Sequence, residues 1–280
     1  MISTKTLRSL TVGAVMTVAA AAAHALPTFT VNPNTNGLAT QGTPFTADAM
    51  TGVSSARISY TGTSGGVYSY TGVGYIDYTA FSLNDSGISA AITRDNFDYG
   101  IYATFTQTFS CGSVLAPGVS CAVTSITLNL WGDAGNDNIY NKATVGSNAS
   151  VTTVGTQVLL GTVTQVLAGA AGIDALGGAF QNVNTNFILT AAGQLFFTSP
   201  DPFYQFAFSA FNNTSQGLTC NGNTNVSTGG AANGCAGEFT AIAINNESGI
   251  TDFNNIPEPA SLAIFGAGLM GLVALRRRKS

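Results

Sequence analysis

The stretch YGIYATFTQTFSC, Tyr99 to Cys111, decides how the chain reads. Tyr99, Ile101, Ala103, Phe105 and Phe109 fall on one face, and Tyr102, Thr104, Thr106 and Thr108 on the other. A two-residue period is that of a half-buried strand, and β-branched and aromatic side chains suit its pleat. After a short gap comes Cys121, and Ile126, Leu128 and Leu130 then alternate with Ser125, Thr127 and Asn129. Between the cysteines, Pro117-Gly118 signals a turn. The two runs predict a β-hairpin stapled by a disulfide.

The pattern extends outward from this hairpin. Residues 57–60 and 67–81 read as strands broken by Gly-rich turns. Residues 186–198 and 203–211 flank Ser199-Pro200-Asp201-Pro202, a clear turn, and residues 239–245 supply a last strand. Residues 151–180 are ambiguous. Val154, Val158, Leu159, Val166 and Leu167 suit a helical stripe, whereas Val158, Leu160 and the threonines suit a strand. Our reading takes a strand to about Leu167 and a short helix or loop after it. Nowhere is there a long charged amphipathic helix. Many short strands with turns predict an all-β fold, an antiparallel β-sandwich of jelly-roll type.

The chain has 280 residues, 45% hydrophobic and only 8% charged, against about 25% charged in an ordinary soluble protein. Its net charge is −4 and its pI near 4.7. A nucleic-acid partner would require a basic footprint, and there is none.

The first 25 residues read as a signal peptide for signal peptidase. Lys5 and Arg8 precede an apolar run over residues 10–23, and Ala23-His24-Ala25 has the small-x-small form of a cleavage site. Residues 26–255 form the exported body. In residues 256–280, Pro257-Glu258-Pro259 leads into an apolar run, 260–275, that ends in Arg276, Arg277, Arg278 and Lys279. Sixteen helical residues span about 24 Å, a little short of a bilayer core of about 30 Å, and read as a transmembrane sorting helix. The basic cluster would stay cytoplasmic and leave the body outside the inner membrane. Gly266-Ala267-Gly268-Leu269-Met270-Gly271 matches a dinucleotide fingerprint but lacks the strand before it and the acid after it.

These three ordered elements resemble the PEP-CTERM sorting signal of Gram-negative bacteria. The resemblance implies that an exosortase, a membrane-embedded transpeptidase-like enzyme, recognises Pro257, Glu258, Pro259 and the Arg276, Arg277, Arg278 cluster and removes the tail. It also implies an association with exopolysaccharide production. The body opens Leu26-Pro27-Thr28-Phe29-Thr30-Val31-Asn32-Pro33, with Phe45-Thr46-Ala47-Asp48 following. That opening resembles the flocculation-associated PEP-CTERM proteins.

With both ends removed, residues 26–259 hold three basic and thirteen acidic side chains, a charge of −10. The lone His24 leaves with the signal peptide. Catalysis through Ser-His-Asp or Cys-His, His-ligated zinc and a histidine proton switch are thereby excluded. Four cysteines remain, Cys111, Cys121, Cys220 and Cys235. In an oxidising compartment they read as disulfides. Three pairings exist, and pairing sequence neighbours, Cys111–Cys121 and Cys220–Cys235, is the economical one.

Three constellations carry candidate chemistry. Asp133, Asn136 and Asp137 crowd oxygens into a Gly-containing loop that could hold calcium, although neither the EF-hand spacing nor a repeat is present. A solvated turn explains it as well. Asp95 and Asp98 beside Arg94 offer a carboxylate pair of the kind glycosidases use, but thirteen acids make many such pairs. Tyr68, Tyr70, Tyr75 and Tyr78 could form a glycan-contacting face, joining apolar rings to hydroxyls, although ordinary sandwich packing with the rings buried is the simpler account. The expected function is that of a non-enzymatic, cofactor-free protein of the cell surface or extracellular matrix. It would associate with exopolysaccharide or with other copies of itself and promote flocculation or biofilm formation. A secreted glycan- or calcium-binding module and a carboxylate-based polysaccharide hydrolase are the alternatives.

Overall fold

A computed structural model describes residues 26–212, 218–220 and 241–254. In chain order the elements are β1 (Phe29–Val31), β2 (Phe45–Ala47), β3 (Ala49–Ser64), β4 (Val67–Leu83), β5 (Ser86–Gly87) and α1 (Ala90–Thr93). Next come β6 (Tyr99–Cys111), β7 (Val119–Ala134), β8 (Ile139–Asn141), β9 (Ser150–Thr152), β10 (Gln157–Val163), β11 (Val166–Ile173) and β12 (Ala179–Asn186). The last are β13 (Ile188–Leu189), α2 (Ala191–Phe196), β14 (Phe197–Ser199), β15 (Phe206–Asn212), β16 (Leu218–Cys220) and β17 (Ala241–Asn254). No helix among the described residues is long and apolar enough to cross a membrane. The expected signal peptide and tail helix lie outside the described residues.

The fold is all-β and its strand pairings are antiparallel, but the sandwich expectation is corrected. β7, β11, β12, β15, β17, β3, β4 and β6 pair in that order, and β6 returns to β7. Eight strands thus close into a barrel. A sandwich leaves open sheet edges, whereas closure pairs them. The seam is made by β10 and β11, which run along β7 as one interrupted strand, from Gln157 opposite Asp133 to Ile173 opposite Val119. The helix or loop expected after Leu167 is therefore strand. Conversely, α2 occupies the middle of the strand expected over 186–198, capped by Thr190, whose Oγ1 accepts from the Gly193 amide at 3.0 Å.

The hairpin expected from Tyr99 onward is present. Cys111 and Cys121 are register partners of β6 and β7 and are disulfide-bonded. Ile101, Ala103, Phe105 and Phe109 point inward with Ile126, Leu128 and Leu130. Inward positions of β4 are slim at Gly72 and Gly74. A Cβ on Gly74 would stand 2.8 Å from the Phe105 ring, so glycine there lets the larger side chain fill the lumen.

One barrel end, the base, is sealed by the sheet β14-β1-β2. Phe29 meets Phe253 at 5.3 Å and Phe45 meets Phe81 at 5.0 Å, in edge-to-face contacts. At the other end the loop after Cys111 folds over, its Leu115 amide donating to the Tyr70 hydroxyl at 3.0 Å. Outside, the β8–β9 hairpin packs on the wall. There Tyr140 lies 5.2 Å from Tyr75, and the Ser55 hydroxyl accepts from the Ala143 amide at 2.9 Å.

Candidate functional site

Three regions of the molecule combine cavities or unusual polar groups: the lumen, the outer wall under the β8–β9 hairpin, and the base.

The lumen is a packed interior with a polar belt. Ser54 donates to the Glu247 carboxyl at 2.7 Å, and Gln107 Nε2 donates to Gln181 Oε1 at 2.7 Å. Lower down, Thr251 Oγ1 lies 2.9 Å from both the Tyr78 hydroxyl and Ser209 Oγ. Burial pushes Glu247 up, opposed in part by Ser54, and pushes Tyr78 up to about 12. Among the described residues the lumen holds cavities of about 40 and 30 Å³. Each has room for a water or two, beside the unpartnered Gln107 Oε1 in the first case. Neither admits a sugar or a cofactor, so the lumen is core.

The outer wall gathers acids. Asp77 on β4 is pushed up to about 6 by burial, which the nearby Tyr140 hydroxyl offsets in part. That hydroxyl is buried and meets no described group in hydrogen-bond geometry. Asp95 is pushed up to about 8, chiefly by burial, with the Asp77 charge adding to it. Asn96 Nδ2 donates to its Oδ2 at 3.2 Å, and its Oδ1 is unpartnered. Asp98 is instead half-buried at one edge, in a two-pronged pair with Arg94 at 2.8 and 3.0 Å that holds it below the usual carboxylate range. The expected pair of acids is therefore split, one sealed and one neutralised.

The candidate calcium loop is spent internally. Asp133 is fully buried, one oxygen accepting from the Asn138 amide at 3.1 Å and the other from Gln157 Nε2 at 3.0 Å. Burial raises its pKa, and those hydrogen bonds oppose the rise. Asn136 takes a left-handed turn with φ 52°, and Asp137 is exposed. Among the described residues no three His, Cys, Asp or Glu side chains are placed to hold a metal. Both Asp133 oxygens are thus taken up by hydrogen bonds within the turn.

The four tyrosines of the candidate glycan face are placed differently from one another. Tyr70 and Tyr78 point into the lumen and are buried, and Tyr75 is buried on the opposite face of β4 beneath Tyr140. Tyr68 is half-buried, its ring 6.5 Å from that of Tyr60. Closing the sheet put one side of the strand inside and a hairpin over the other. Cys220 is disulfide-bonded; its expected partner Cys235 lies outside the described residues, as do Pro257, Glu258, Pro259 and Arg276, Arg277 and Arg278.

What sequence reasoning missed is at the base. Residues 186–189, α2 and the segment 197–206 enclose an open cleft of about 730 Å³, within the range of small-molecule sites. Phe203, Tyr204 and Phe206 are half-buried in its wall, and Gln194, Asp201 and Gln205 stand exposed around it. The signal was the run Pro200-Asp201-Pro202-Phe203-Tyr204, an aromatic pair following a turn. It reads only as a connection until α2 is placed opposite.

Residues 255–279 match the PEP-CTERM protein-sorting motif. No curated protein and no solved structure matches the chain. The chain thus carries the sorting signal expected from its tail, which marks an exosortase-sorted, secreted and transiently membrane-anchored protein of a Gram-negative bacterium.

Proposed function

We propose that the sorted body is a non-enzymatic protein of the cell surface or extracellular matrix that associates with exopolysaccharide and promotes cell aggregation. The observation that carries the reading is the sorting motif at 255–279, joined to a body in which residues 26–280 hold no histidine. The barrel supports it. A lumen with cavities of only about 40 and 30 Å³ leaves the work to the outer surface. The mature opening at Leu26–Pro33, similar to that of flocculation-associated proteins, points the same way. The net −10 of residues 26–259 opposes self-association at low ionic strength, so any aggregation requires screening or a bridging polymer.

A second reading, a secreted glycan-binding module without an adhesive role, is favoured by the cleft at the base. Settling of a clean deletion strain beside its complemented strain separates the two. Loss and restoration of settling is the expected outcome, and unchanged settling removes the aggregation role. Turnover of matrix polysaccharide by the purified protein would return the hydrolase alternative.

A further inference from the structure

We propose that the cleft at the barrel base binds a short run of a neutral polysaccharide chain. This rests on the exopolysaccharide reading above and assigns that association to one site.

The ring faces come first. Phe203 is braced by Phe29 at 6.2 Å and Phe253 at 5.3 Å, and it meets Tyr204 edge-on at 5.3 Å. The Tyr204 hydroxyl donates to the Thr28 carbonyl at 2.8 Å, which fixes the ring. Rigid, half-open rings present apolar area at low entropic cost, as the C–H face of a pyranose requires. The polar groups come second. Gln194, Asp201 and Gln205 line the same cleft, are exposed, and their side chains make no hydrogen bond with any described residue. Two amides and a carboxylate around open rings suit the alternating donors and acceptors of sugar hydroxyls.

The charges decide which sugar. Among the described residues no basic side chain lines the cleft. Among the described residues Arg94 is paired with Asp98, Lys142 donates to Asn246 and Arg57 donates to Val145 and Asn148. An anionic polymer would meet Asp201 with no counter-charge, against the overall negative field. A neutral chain carries no such penalty.

The test uses the processed protein recovered from exosortase-bearing cells, titrated calorimetrically with neutral β-glucan and mannan hexasaccharides and with an alginate hexamer as the anionic control. Two cleft variants are compared, the triple Gln194→Ala, Asp201→Ala, Gln205→Ala, whose side chains are exposed, and Tyr204→Ala. The control is Phe97→Ser, which removes a ring 65% exposed elsewhere. Expected are binding of at least one neutral hexasaccharide, none of alginate, an affinity loss of about tenfold or more in both cleft variants, and no change in the control. Binding retained in the triple variant overturns the cleft assignment and leaves the polysaccharide reading standing. No binding of any neutral hexasaccharide by the wild type overturns the ligand class, and unchanged settling of the deletion strain would separately remove the wider reading. If the triple variant instead converts a dimer to a monomer in sedimentation while binding persists, the cleft is an interface between copies and the proposal falls.

Discussion

Asp95 is 2% exposed, with Asn96 on one carboxyl oxygen and no described partner on the other. A carboxyl so placed keeps its proton more readily folded than unfolded, and its pKa rises to about 8. The folded state then binds more protons than the unfolded chain above the ordinary carboxylate pKa. Stability is full below about pH 4 and falls as pH rises through about 8, Asp77 contributing over the part of that window up to about 6. Asp95→Asn should flatten this decline and stabilise the protein at pH 8 by at least about 1 kcal/mol. Urea melts across pH 4 to 8 measure it, and a variant whose pH curve overlays the wild type would refute the assignment. Asp98, held by Arg94 in a half-buried pair at the surface, should matter less to stability than Asp95.

At the scale of elements, the closing strand is the weak point of the barrel. β11 reads VLAGAAGI, a composition that favours helix as much as strand, with two glycines along it. It is a strand because β7 and β12 offer hydrogen-bonding edges on either side. Gly172 is needed for a close approach. A Cβ there would stand 2.1 Å from the Val119 carbonyl oxygen, a backbone atom that cannot move aside. Gly172→Ala should therefore cost about 2 kcal/mol or more. Amide hydrogen exchange should quicken along β7 and β11 before the β3–β4 pair is affected. Uniform exchange across all eight barrel strands would show instead that the seam is no weaker than the rest. The β6–β7 hairpin stands opposite in character. Its disulfide closes a loop of sequence separation 10, which stabilises by roughly 2–3 kcal/mol. Replacing Cys111 and Cys121 by Ser should lower the unfolding free energy by that amount in urea.

For the whole molecule, the base is where the body meets its sorting signal. β17 ends at Asn254, opposite Phe206 of the cleft wall, and the sorting motif starts at 255. The apolar run starts at 260. The connecting residues can extend at most about 20 Å. Before processing, a membrane-held tail would keep the end of β17 within that distance of the membrane. Replacing Glu258 or the Arg276–Arg278 cluster should leave the protein in the inner membrane with its tail attached, read by fractionation and mass. Normal release of those variants would contradict exosortase sorting.

The sequence by itself determined the strands with strong alternation. Ile101, Phe105, Leu128 and Leu130 announce an inward face through local periodicity alone, and Cys111 and Cys121 flank a turn short enough to pair across it. It also determined the sorted tail, whose order of motif, apolar run and basic end is a linear signal needing no fold, and the exclusion of histidine chemistry. Tertiary structure decided everything that depends on which strand edges meet. A sandwich and a barrel share the same alternating strands, and the difference lies in β11 pairing with β7, residues roughly 50 apart in the chain. That closure buried Tyr70 and Tyr78 in the lumen, and the β8–β9 hairpin covered Tyr75. The glycan face read from spacing was lost because period-two arithmetic assigns sides of a strand but not which side faces solvent. It also brought α2 across from residues 197–206, so the cleft belongs to no single run of sequence. Periodicity records what each residue packs against locally; long-range pairing of edges sets which faces remain open to a ligand.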